Sequence, residues 1–161
     1  MTKDPMPPPS ELAQPIPLHE LLGLEFGPPD PEAKVSTVTM AVRPEAFGAG
    51  GTLHGGALAT MVDLACALAA VQATGFDYLT QSLVTTDMHI RYLGQPRTDR
   101  VLARAEVIRA GSQLVVVECK VSDGNGHLVA AADLSLMLVT RRRPLTPADS
   151  EPPAGSEGSG V

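Results

Sequence analysis

The stretch GGTLHGGALATMVDLACALAAVQATG, residues 50–75, limits the folds open to this chain more than any other feature. From residue 55 to about 73 it predicts one helix, free of proline, dominated by Ala and Gly, and closed by Gly75. Apolar residues fall on every side, so the helix has no polar stripe to show to water. Such a segment belongs in a membrane or in a protein core. A membrane span fits poorly, because Asp63 near its centre is costly in lipid and the run has no basic flank. The core reading makes Asp63 the central puzzle. An ionised carboxylate in apolar surroundings loses several kcal/mol of hydration unless it is paired or put to chemical use. Capping is not open to it in mid-helix, which favours a chemical role.

A helix apolar all round has to be wrapped, and the rest of the sequence supplies strands. Residues 34–42, KVSTVTMAV, alternate and are rich in β-branched types. Four more strands follow the helix. In 82–93, strict alternation puts Val84, Thr86, Met88, Ile90 and Tyr92 on one face. In 101–110, Val101, Ala103, Ala105 and Val107 oppose Arg104 and Glu106. Residues 114–122 turn Val115, Val117, Cys119 and Val121 inward, and 127–140 present Leu134, Leu136 and Leu138. The short connections AGS and DGNG mark hairpins, so the last three strands form an antiparallel meander. A helical turn over 18–22, ended by Gly23, precedes them all. The expected architecture is α+β, one long helix inside a curved antiparallel sheet of about five strands. Such a sheet leaves an edge and part of the helix bare, and a second copy of the chain is the simplest cover.

The 161 residues and 43% hydrophobic content suit a single domain. Both ends differ in composition: prolines crowd residues 5–17, and PLTPADSEPPAGSEGSGV closes the chain. Disordered tails are expected at 1–17 and 142–161, flanking a domain at 18–141. A formal charge of −6 argues against nucleic-acid binding through a general basic surface, and the run Arg141–Arg143 reads as a solvated strand end. Cys66 and Cys119 lie in apolar contexts without CxxC spacing. That points to a reduced, cytoplasmic setting, with a disulfide between them as the alternative. The N-terminus lacks the basic-then-apolar pattern of a signal peptide.

Few residues could carry chemistry. There is no phosphate-binding loop, no G-x-S-x-G and no cluster at metal-ligand spacing, so neither a metal nor another cofactor is expected. His19, His89 and His127 read as surface or interface side chains, and Asp87, Asp123 and Asp133 as structural or exposed ones. His54 differs, since it follows a glycine-rich loop and immediately precedes the helix. Gly55 and Gly56 open the first turn, where backbone N–H groups lack internal partners and sit at the positive end of the macrodipole. Glycine there admits a close ligand, and the N–H groups suit a developing oxyanion; the same glycines would also serve a tightly packed cap. Gly55 and Asp63 lie about 12 Å apart along the axis, at about 1.5 Å per residue. They could serve one small reacting group if two helices ran antiparallel across a dimer, Gly55 of one meeting Asp63 of the other.

The segments LHELLGLEFG, VRPEAFGAGGTLHGGALATMVDLACALAA and VTTDMHIRYLGQP together resemble the hotdog-fold acyl-CoA thioesterases of the phenylacetate-degradation (PaaI-like) type, over about residues 18–140. HGG with an Asp nine residues after the His, followed by T-x-D-x-x-x-R-Y-L, is specific in combination. The resemblance implies a hotdog fold of five to six strands and hydrolysis of a thioester to free acid and CoA. It further implies a homodimer or homotetramer, with no nucleic-acid or membrane partner. It assigns Gly55 N–H to the thioester carbonyl and makes Asp63, from the partner subunit, general base or nucleophile. His54 shapes the carbonyl-binding end, and Thr85 places the water or the acid. Gly48, Gly56 and Thr86 are implied as substrate-binding positions. One position departs: the family usually carries Asn where this chain has Gly48, which removes a side-chain donor. A non-catalytic acyl-CoA-binding protein of the same fold is therefore the alternative. A hydratase would need a His–acid motif not found here.

Overall fold

The computed structural model describes residues 16–143 apart from 31 and 33. The expected tails fall almost wholly outside the described residues. The chain enters through a short helix, α1 (Pro17–Leu22). Gly23 ends it at φ 60°, a left-handed turn that favours glycine. A side chain there would also strike Arg43, whose guanidinium donates to the Leu21 carbonyl at 2.9 Å.

Six strands follow around one long helix. They are β1 (Leu24–Phe26), β2 (Val35–Ala41), β3 (Gln81–Tyr92), β4 (Arg100–Ala110), β5 (Leu114–Asp123) and β6 (Leu128–Thr140). The helix, α2 (Gly55–Ala73), separates β2 from β3. The sheet order is β1-β2-β4-β5-β6-β3 with every pair antiparallel, so β4, β5 and β6 form the expected meander. β1 was not foreseen. Three residues are too few to show alternation, and β1 pairs only with β2, Leu24 lying opposite Met40.

The core lies between α2 and the sheet's concave face. β2 contributes Val38 and Met40, β4 Val101, Ala103 and Ala105, and β5 Val115, Val117, Cys119 and Val121, as their alternation predicts. On α2 the buried residues are Ala57, Leu58, Met61, Val62, Ala65, Cys66, Ala69 and Ala70. That pattern is one helical face. The opposite face, including Thr60, Asp63, Leu64, Ala67, Leu68 and Val71, is only half-buried, because the sheet covers one side. Ser36 is the buried polar residue of β2, and its hydroxyl donates to the Ala65 carbonyl of α2. Cys66 and Cys119 lie side by side as free thiols, so the disulfide alternative does not hold. The neighbouring Cys119 side chain, burial and the charge of Asp63 all push the Cys66 thiol upward.

Two features correct the expected faces and ends. β3 does not alternate strictly, because its register against β6 shifts between Thr85 and Asp87. Leu83, Thr85, Met88, Ile90 and Tyr92 therefore share the helix-facing side, opposite Leu138, Leu136, Leu134, Ala132 and Ala130. Val84 turns to the outer face and is exposed, and Thr86 is the extra residue of the bulge. Arg141, expected to be a solvated strand end, instead ties β6 to the entry of β3. Its side chain donates to the Gln81 carbonyl at 2.8 Å and its N–H to the Thr80 carbonyl at 2.8 Å.

Asp123 clasps the far end of the sheet. Its carboxylate is almost fully buried and accepts the N–H groups of Arg97, Asn125 and His127, each at 2.9 Å. The Arg97 N–H foremost, then those of His127 and Asn125, hold its pKa below the usual carboxylate value against the opposing effect of burial. A depressed folded-state pKa contributes stability above the ordinary carboxylate range, and that stability is lost as pH falls through the folded value. Asp123→Asn should therefore melt below the parent at neutral pH, and the gap should close under acid conditions, below about pH 4. Thermal melts of both proteins across this range measure it.

Candidate active site

Two clusters lie along α2. The first is at its N-terminus, where residues 48–54 loop back on themselves: Gly48 N–H donates to the Thr52 carbonyl, Gly51 N–H to Gly48 and His54 N–H to Ala46. His54 is the N-cap, and its Nδ1 accepts the Gly56 N–H at 2.8 Å. A ring nitrogen that accepts a hydrogen bond carries no proton, so in the neutral ring the proton sits on Nε2. Ala57 and Leu58 N–H close on the His54 carbonyl, while the Gly55 N–H has no acceptor among the described residues. Gly55 N–H thus remains at the positive end of a 19-residue helix.

Gly48 lies against the His54 ring. A Cβ at Gly48 would stand 3.2 Å from His54 Cδ2, inside normal contact distance. An Asn at this position would therefore ask the imidazole to give by a few tenths of an ångström.

The second cluster is two turns further along. Asp63 sits on the half-buried face, and Thr85 Oγ1 donates to its Oδ1 at 2.6 Å. That short, charge-assisted bond fixes the carboxylate, and Oδ2 accepts nothing among the described residues. Thr86 spends its hydroxyl on the Ser135 carbonyl at 3.0 Å. The structure thus joins Asp63 with Thr85, and His54 with Gly48, Gly55 and Gly56, and ties Thr86 to β6. One further residue belongs to the first cluster and was missed in the sequence. Tyr92 Oη lies 3.1 Å from the Gly55 carbonyl, to which it donates. Strict alternation gave no reason to pair it with Thr85. No group of three or more His, Cys, Asp or Glu side chains suited to holding a metal occurs among the described residues.

This geometry belongs to a hotdog fold, and the comparisons agree. The thioesterase superfamily profile matches residues 50–130. The chain belongs to the thioesterase superfamily. Over 84 residues it is 36% identical to a Saccharolobus solfataricus protein whose name places it provisionally among the esterases. That match covers 52% of this chain, and the chain spans about half the length of that relative, 56%. Among solved structures, a conserved protein of Pseudomonas aeruginosa superposes with TM-score 0.71 at 28% identity, covering 83% of this chain and all of the other. A variant of a thioesterase from the same organism gives TM-score 0.70 at 25% identity, covering 77% and 86%. A phenylacetic acid degradation-related protein of Ralstonia eutropha shares the fold, with TM-score 0.66 at 24% identity over 77% and 92% of the chains.

The cap makes a separable prediction. His54→Ala should cost about 1 kcal/mol of stability by orphaning the Gly56 N–H. His54→Asn, a strong N-cap, should restore that stability. Chemical denaturation of the three proteins measures the difference.

Proposed function

We propose that this chain hydrolyses acyl-CoA thioesters as a homodimer, each site combining Gly55 of one subunit with Asp63 of the other. The observation that carries the reading is the Thr85–Asp63 hydrogen bond. It holds a carboxylate on the bare face of an apolar helix with one oxygen unengaged, which suits a general base. The separation of about 12 Å between Gly55 and Asp63 on one helix supports the use of two chains. The half-buried face of α2 and the exposed, helix-facing Met88 of β3 support a covering partner.

In this mechanism the thioester carbonyl oxygen approaches the Gly55 N–H, whose dipole stabilises negative charge as it develops. Asp63 takes a proton from water while the water oxygen bonds to the carbonyl carbon. Collapse of the tetrahedral intermediate breaks the C–S bond. The thiolate leaves as CoA and recovers a proton, and the acid is released. Gly48 favours a second reading, acyl-CoA binding without turnover, because it offers no side-chain donor where the family resemblance implies an Asn.

One assay decides between them. Asp63→Asn keeps an acceptor for Thr85 but has no basicity, so kcat should fall about 10³-fold with little change in melting temperature. Release of free CoA thiol from aliphatic and aromatic acyl-CoAs, and from an acyl-carrier-protein thioester, is the readout. Parental rates in the variant would refute the assignment. Tight binding by the parent without thiol release would establish the second reading.

A further inference from the structure

Tyr92 is the last residue of β3 and reaches the first turn of α2. Its ring stands where a side chain on Gly55 would go: a Cβ there would lie 3.3 Å from Cε1 and Cζ. Its hydroxyl donates to the Gly55 carbonyl at 3.1 Å. That carbonyl belongs to the same peptide group as the Gly56 N–H, which donates to His54 Nδ1 at 2.8 Å. A donor on the oxygen of an amide polarises the group and strengthens its N–H as a donor. The sequence phenol, peptide, imidazole is therefore one hydrogen-bonded relay, crossing from the sheet to the helix cap.

We propose that Tyr92 is a positioning residue for the carbonyl-binding end of the site, acting through the Gly55–Gly56 peptide on His54. Its ring and hydroxyl clamp Gly55 and so set the direction of the Gly55 N–H. Its donation also holds His54 in the form protonated on Nε2, leaving that N–H as a donor. Gly48 leaves the His54 ring free of the 3.2 Å contact that a Cβ there would make with its Cδ2. The kinetic half of the proposal rests on the thioesterase reading above; the structural half does not.

Tyr92→Phe removes the hydroxyl and keeps the ring. With an acyl-CoA that the parent cleaves, kcat should fall about tenfold while KM stays within about twofold. The melting temperature should stay near the parent's. Nitrogen-15 spectra of the resting protein supply a readout that simple packing would not move. The parent should show His54 protonated on Nε2 with Nδ1 as acceptor. In Tyr92→Phe the Nδ1 resonance should move toward the tautomer average, and the Gly56 amide proton should move upfield. Unchanged resonances and unchanged kcat would overturn the proposal. Movement of the resonances without loss of kcat would overturn it too, as would loss of kcat without movement. Because the spectra need no substrate, an inactive parent would refute the thioesterase reading while the resonances still decided the relay.

Discussion

Everything in this molecule depends on burying one face of a helix that has no polar face. The sheet meets α2 through Ala57, Met61, Val62, Ala65, Cys66 and Ala69, mostly small side chains that let strands and helix approach closely. The other face keeps its apolar residues half-bare, and Asp63 sits among them. A carboxylate on the covered face would have to give up its water and find a buried partner. On the uncovered face it needs a hydroxyl, which Thr85 supplies. Asymmetric burial therefore decides where chemistry is possible on this helix.

The bulge in β3 is the second constraint. Thr85 and Tyr92 are seven positions apart, so an unbroken strand would turn them to opposite faces of the sheet. The register shift between Thr85 and Asp87 brings both to the helix side. One then reaches Asp63 and the other Gly55. A single irregular step lets one edge strand reach both clusters along α2. The extra residue, Thr86, is tied down by its own bond to Ser135.

Much of this was legible in the sequence, for identifiable reasons. The limits of α2 follow from a proline-free apolar run between glycines, and the faces of β4 and β5 and the meander from period-two alternation and short glycine-bearing turns. These signals are local. The clustering of His54, Gly55 and Gly56 at a helix start follows from capping chemistry, also local. The bulge was not legible, because strict alternation groups Val84 and Thr86 with Met88, and only pairing with β6 puts Leu83 and Thr85 there instead. Tyr92 was missed for the same reason. The clasp at Asp123 and the reach of Arg141 depend on loops far apart in sequence. No window of residues contains them.

The central claim is that neither Gly55 nor Asp63 makes a site within its own chain, and mixing two inactive variants tests it most directly. Gly55→Pro removes the N–H at the first helical position; the backbone there suits proline after the extended His54, and the Tyr92 ring must give by a few tenths of an ångström to admit the new Cβ. Asp63→Ala removes the base. A heterodimer of the two retains one intact site, so unfolding and refolding the pair together should restore about a quarter of the parental thioesterase activity. Recovery near that level is the result this account predicts. No recovery from a mixture shown to contain heterodimers would contradict it.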